Sequence, residues 1–227
     1  MCKKNYSVAI DGPSGAGKST LARALAARFG FIYVDTGAIY RTVGLAVRRK
    51  DIGSKDAEKI IPLLPALDIQ LRHNEAGQQR MYLDGEDVSE EIRLPEISIY
   101  ASDVSAIPEV RAFLLEMQRR MAREHSVIMD GRDIGTVVLP DAGLKLFLTA
   151  SPEERARRRL LELQEKGVET CFEDVLRDIQ YRDENDSSRA AAPLRAAEDA
   201  VKLDTTGNSF EESLELISGL VKERFAL

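Results

Sequence analysis

Gly12-Pro13-Ser14-Gly15-Ala16-Gly17-Lys18-Ser19 fits G-x-x-x-x-G-K-[ST], a loop whose backbone amides cradle phosphate groups. Its flanks decide the fold. Ser7 to Asp11 reads as a short, mostly apolar strand, and Lys18 to Phe29 as a helix rich in Ala, Leu and Arg. A strand, a glycine loop and a helix in that order aim several N–H groups at one point. The helix N-terminus adds partial positive charge there. A polyphosphate is therefore expected on Gly12, Pro13, Ser14, Gly15, Ala16, Gly17, Lys18, Ser19 and Thr20. Lys18 would reach the β- and γ-phosphates, and the Ser19 hydroxyl would hold Mg²⁺.

Outward from this loop the pattern repeats. Gly30 is a plausible C-cap, 31–35 a second buried strand, Thr36-Gly37 a turn, and Ala38 to Lys50 a helix. Such a βαβ order implies a parallel sheet. Tyr40 and Arg41 fall in the first turn of that helix, at the strand edge where open α/β sheets bind ligands. A short helix is expected over Lys55 to Leu64. Then the period changes to two: Leu67, Ile69 and Leu71, and later Met81 and Leu83, alternate with polar residues. With the turn signal Asp84-Gly85, residues 66–88 read as a small inserted antiparallel meander. Pro95 to Ser105 reads as helix. Pro108 opens another, with Val110, Phe113, Leu114, Met117 and Met121 as its core stripe and Arg111 off it.

Ser126 to Asp130 is the next strand, followed by the turn Gly131-Arg132-Asp133. Three charges in four residues, Asp130, Arg132 and Asp133, cannot all be buried unpaired. A ligand site there, beside the phosphate loop, gives them a purpose. Residues 144–149 form another strand. Ser151, Pro152 and Glu154 carry a capping-box start to a helix bearing Arg155, Arg157, Arg158 and Arg159, with Glu153–Arg157 and Glu154–Arg158 pairs expected on a wet surface. Phe172 to Asp186 is a further helix, with Arg182, Asp186 and Arg189 off its apolar side. The two helices, joined by Glu165-Lys166-Gly167, look like a mobile lid. Residues 200–204 make the last strand, before a closing amphipathic helix marked by Phe210, Leu214, Ile217, Leu220 and Val221. The fold class is α/β: a P-loop NTPase fold with a five-stranded parallel sheet, an inserted antiparallel β subdomain and a helical lid.

Composition narrows the function. The 227 residues are 44% apolar with a net charge of −6, which argues against a protein that coats a nucleic-acid polymer. No apolar run approaches a membrane span, and the N-terminus leaves no room for a signal peptide. Cys2 and Cys171 read as reduced thiols of a cytoplasmic protein, and His73 and His125 as surface residues. No N-K-x-D segment reads guanine, and Asp130 lacks the acidic neighbour of an ATPase motor. A small phosphotransferase remains. Its acceptor is a phosphate monoester, already ionised near neutral pH, or a hydroxyl compound such as shikimate or dephospho-coenzyme A, which needs a base. A nucleotide-binding regulatory module is the non-enzymatic alternative. For a phosphate acceptor the obstacle is repulsion between polyanions, which Arg41, Arg132, Arg158, Arg182 and Arg189 would lower.

Four stretches together resemble the bacterial cytidylate kinases: Gly12 to Ser19, Asp35-Thr36-Gly37-Ala38-Ile39-Tyr40-Arg41, Asp130-Gly131-Arg132-Asp133-Ile134-Gly135-Thr136, and Arg182 through Arg189-Ala190-Ala191-Ala192-Pro193-Leu194. The resemblance spans nearly the whole chain and implies transfer from ATP, with Mg²⁺, to CMP or dCMP. It implies one domain over 1–227, with a monophosphate-binding region at about 36–105 and a lid at about 152–189, acting as a monomer. By position, Arg41, Arg132 and Arg189 would hold the acceptor phosphate. Ser102, Arg111 and Asp133 would read the cytosine edge, and Asp186 with Arg182 would meet the sugar. Thr36, where many relatives carry Ser, and Tyr40 and Asp130 complete the acceptor set. Lys18, Arg132, Arg189 and, from the lid, Arg158 are the expected catalytic contacts.

Overall fold

The computed structural model describes residues 5–165 and 167–227. Cys2 and the rest of 1–4, and Lys166 of the expected interhelical connection, lie outside the described residues.

Five strands form one parallel sheet: β1 (Ser7–Asp11), β2 (Ile32–Asp35), β6 (Val127–Gly131), β7 (Leu144–Thr149) and β8 (Val201–Asp204). Their order is β2-β6-β1-β7-β8. β1 is therefore central, paired from Ser7↔Val127 to Asp11↔Gly131 on one side and from Val8↔Leu144 on the other. β1, β2 and β6 are buried on both faces because helices cover both, whereas the edge strand β8 is largely exposed. Val8, Ile10, Ile128 and Leu146 pack with α1 (Lys18–Phe29) and α8 (Phe210–Phe225). Ala9, Val34, Val127 and Met129 pack on the other face, against α5 (Pro108–Glu124) and a π-helical turn at Ile134–Val138. That turn was not foreseen.

The meander is a separate antiparallel sheet of β3 (Ile69–His73), β4 (Gln79–Leu83) and β5 (Glu86–Asp87). A sheet this small needs a support. It shares a second apolar core with α2 (Thr36–Arg49), α3 (Ala57–Ile60), a 3-10 turn at Ile61–Ala66, α4 (Pro95–Val104) and α5. α6 (Pro152–Glu165) and α7 (Phe172–Ser188) bury Ala156, Leu163, Val175 and Ile179 between themselves.

Local readings differ in several places. α2 begins at Thr36, so Thr36-Gly37 is helix rather than turn; Asp35 ends β2 and also caps α2 by accepting the Ala38 N–H at 2.9 Å. His73, expected at the surface, is half-buried and hydrogen-bonds the Tyr33 carbonyl at 3.1 Å. Phe113 is exposed while Arg111 of the same helix is buried, the reverse of the expected stripe. At α6, Ser151 Oγ accepts the Glu154 N–H, but the Glu154 side chain turns to Arg158 at 3.0 Å and not back to close a capping box.

Candidate active site

The phosphate loop leaves β1 at Gly12, whose φ of +148° suits glycine. A Cβ there would lie 1.9 Å from the Leu148 carbonyl oxygen. Lys18 Nζ donates to the Pro13 carbonyl at 2.6 Å. Burial, and then the positive charge of Arg132, push its pKa well down. Ser19 Oγ donates to Asp130 Oδ2 at 2.7 Å, and the Tyr33 hydroxyl donates to Asp130 Oδ1 at 3.0 Å. Burial, then repulsion by Asp35, raises the Asp130 carboxyl. Asp130 thus belongs beside Ser19 under the loop, a pairing the sequence left unassigned.

Two residues of α6 and α7 grip the loop from outside, and sequence reasoning missed both. Arg155 is buried, not on a wet surface. Its Nε donates to the Ala150 carbonyl and its Nη1 to the Ser14 carbonyl, each at 2.9 Å. The same Nη1 is 2.6 Å from Asp183 Oδ2, while Asp183 Oδ1 accepts the Ser14 N–H at 3.3 Å. Ser14 is therefore held through both of its backbone polar groups.

The second cluster gathers residues from α2, α4, α5, the bend at Arg132-Asp133 just past β6, and α7 with its C-cap Arg189. Arg132 Nε donates to Asp186 Oδ2 at 2.7 Å. Arg111 donates to Asp133, and at 3.2 Å to the Ser105 carbonyl, with its guanidinium over the Tyr40 ring. Arg189 donates to Ser105 Oγ at 3.0 Å and lies 3.7 Å from an oxygen of each of Asp133 and Asp186. Ser102 Oγ donates to Asp186 Oδ1 at 3.3 Å and accepts from Asn185 at 2.9 Å. Thr36 Oγ1 donates to the Asp130 carbonyl at 2.7 Å, which commits its hydroxyl to the strand end. Burial alone would raise Asp186; Arg132, Arg182 and Arg189 more than offset it and hold its pKa low.

Two guanidinium donors are left over. Arg189 Nη2 and Arg182 Nε are buried without a hydrogen-bond partner. Such donors are costly unless a ligand accepts from them. Burial, then Arg132 and Arg41, push the Arg182 pKa down to about 9, so it stays protonated at neutral pH. Burial lowers that of Arg41 against the pull of Asp35.

Two adjoining cavities result. The larger, about 410 Å³, runs along the phosphate loop to Thr205, Asn208 and the start of α8; Thr20 and Arg158 line it alone. The smaller, about 140 Å³, holds the second cluster. Ser14, Gly15, Lys18, Ser19, Arg41 and Arg182 line both. Gly12 and Pro13 line neither; they shape the loop from behind. Arg158 donates to the Thr205 carbonyl at 2.8 Å as well as to Glu154. The smaller cavity's wall carries Lys18, Arg41, Arg111, Arg132, Arg182 and Arg189 against Asp35, Asp130, Asp133 and Asp186. That leaves two positive charges, the complement of a phosphate monoester dianion.

Comparison with known proteins identifies the family. The family model described as cytidylate kinase matches residues 8–223. A cytidylate kinase of Caldicellulosiruptor bescii is 53% identical over 214 residues, covering 94% of each chain. One from Caldicellulosiruptor saccharolyticus is 54% identical over the same shares. An uncharacterized protein from Eubacterium ventriosum superposes with a TM-score of 0.51 at 12% identity, over 97% of this chain and 99% of its own, a likeness of fold alone. Match over nearly the full length, at half identity, places the chain in the cytidylate kinase family.

Proposed function

We propose that this chain transfers the γ-phosphoryl of ATP to CMP or dCMP, giving ADP and CDP or dCDP. The observation that carries the reading is the junction of the two cavities. Lys18, Arg41 and Arg182 line both, so one set of cations faces the donor's terminal phosphate and the acceptor phosphate together. The acceptor oxygen is already ionised near neutral pH, so the site needs approach and charge neutralisation more than a base.

Arg132 and Arg189, with Arg41, hold the acceptor phosphate; the Nη2 of Arg189, which makes no hydrogen bond, supplies one donor. Asp133, braced by Arg111, accepts from the cytosine N4–H₂, a donor that uracil lacks. Ser102 and Tyr40 wall the base, and Asp186 with Arg182 takes the sugar hydroxyls. Arg158 reaches the donor phosphates from α6. The hard-oxygen pair of Ser19 Oγ and Asp130 Oδ2 suits Mg²⁺, which takes few protein oxygens and completes its shell with phosphates and water. When bound, Mg²⁺ neutralises charge on the β- and γ-phosphates. In this reading 36–105 is the monophosphate-binding region, 66–88 its β insert and 152–189 a lid, in a cytoplasmic monomer. No helix among the described residues is long and apolar enough to cross a membrane.

A coupled ADP-release assay with ATP and Mg²⁺ over CMP, dCMP, UMP, AMP and GMP tests the activity. Strong turnover with CMP and dCMP and little with the purines is expected. Silence with all five, while ATP still binds, would sink the reading.

A further inference from the structure

Asp11 is the last residue of β1 and directly precedes Gly12 of the phosphate loop. It is 3% exposed and lines neither cavity. Its carboxylate reaches across to the neighbouring strand's exit. Oδ1 accepts the Ile134 N–H at 2.8 Å and Oδ2 accepts the Gly135 N–H at 2.7 Å. The first of these amides is the peptide that joins Asp133 to Ile134. Asp11 therefore grips the backbone on which the Asp133 carboxylate is mounted. The approach is close: a Cβ on Gly135 would lie 3.1 Å from the Lys145 side chain and 3.4 Å from Asp11 Oδ2.

A buried carboxylate is an expensive way to hold a turn. The Asp11 pKa is raised to about 6: burial drives it up, and Asp133 adds to that, against the two amides and, more weakly, Lys18. Both oxygens are spent on adjacent amides, so a neutral side chain of the same shape cannot replace it. An amide presents one acceptor and turns its own N–H₂ toward the second N–H.

We propose that Asp11 is a positioning residue for the acceptor base: by holding the Ile134 and Gly135 amides it sets the aim of the Asp133 carboxylate, and so the discrimination between CMP and UMP, without touching either. The inference rests on Asp133 being the base reader.

The test compares kcat/KM for CMP and UMP, with KM for ATP, in the wild type, Asp11→Asn, Asp11→Glu and Asp133→Asn. Asp11→Glu keeps both acceptors but displaces them by a methylene, and it serves where Asp11→Asn fails to fold. The expected result in either Asp11 variant is a CMP/UMP ratio reduced by about tenfold, the scale of one hydrogen bond to a charged group. KM for ATP should stay within about twofold, because none of the loop's hydrogen bonds runs to Asp11. A merely structural role would lower both acceptors together and leave the ratio alone, and that outcome overturns the proposal. Asp133→Asn separates the two claims. If it lowers the ratio while the Asp11 variants do not, the positioning role fails and the base reader stands. An unchanged ratio in Asp133→Asn removes the base reader and the proposal with it.

Discussion

Asp183→Asn is the substitution that most directly probes how the phosphate loop is held. The amide keeps an oxygen for the Ser14 N–H but removes the charge opposite Arg155. Breaking a buried ion pair by removing one partner costs about 3–5 kcal/mol. Two features reduce that here. The Asp183 side chain is 23% exposed, and Arg155 keeps the Ala150 and Ser14 carbonyls as acceptors. A loss of about 2 kcal/mol is expected. Arg155→Met should cost a similar amount, and the double variant less than the sum, with a coupling of about 1–2 kcal/mol. Urea denaturation at neutral pH of the four proteins measures this. ADP release should fall about tenfold in Asp183→Asn, since small misplacements of a phosphate cradle are amplified in rate. Stability within 0.5 kcal/mol of wild type (about the scatter of ordinary surface substitutions) together with unchanged turnover would refute the clamp.

Lys18→Ala should lower kcat by roughly 10²–10³ with the fold intact, measured by ADP release and circular dichroism; near-normal kcat would remove the loop from the mechanism. Asp130→Asn leaves the Ser19 hydrogen bond possible but removes the charge, so the Mg²⁺ concentration for half-maximal rate should rise about tenfold; an unchanged Mg²⁺ dependence counts against Asp130 as its partner. The Asp11 carboxyl, raised to about 6 from 3.8, makes a specific pH prediction. The folded state keeps this proton where the unfolded chain has lost it, so ionisation destabilises as pH rises through that window. Wild type should gain on Asp11→Asn by about 2 kcal/mol between pH 7 and pH 4, read from urea curves at both ends. A pH-independent difference would contradict it. CMP with a non-hydrolysable ATP analogue should protect 152–189 from proteolysis, and no protection would argue against a moving lid.

The parallel sheet, the meander and the phosphate loop were all legible because each rests on local pattern: buried strands, a change of period, and glycine spacing. The charged turn after β6 was legible for a different reason, since Asp130, Arg132 and Asp133 together demand partners. What escaped were contacts made at long range. Arg155 has the spacing of a surface helix arginine, and nothing nearby in sequence announces Ser14 or Asp183. Arg111 and Phe113 exchanged expected places because Asp133 and Tyr40 lie on Arg111's side of α5. Gln79 shows the same limit. Its amide spans the Asp35 backbone, accepting the N–H at 2.8 Å and donating to the carbonyl at 3.2 Å. A meander in which the sequence shows no chemistry thus braces the strand end beside the smaller cavity.

The strand order also sets a timetable for synthesis. Among the described residues β1 pairs with β6 and β7, and β2 with β6. When the phosphate-loop strand leaves the ribosome, its partners are still unmade, and at 5–20 residues per second they follow about 6–24 s later. The core shared by α2, the meander, α4 and α5 is made in full only just before β6. Until then the nascent N-terminal strand is an unpaired, apolar segment. Val8, Ala9 and Ile10, fully buried in the finished sheet, are exposed during this interval, and a truncation before residue 127 would leave them so.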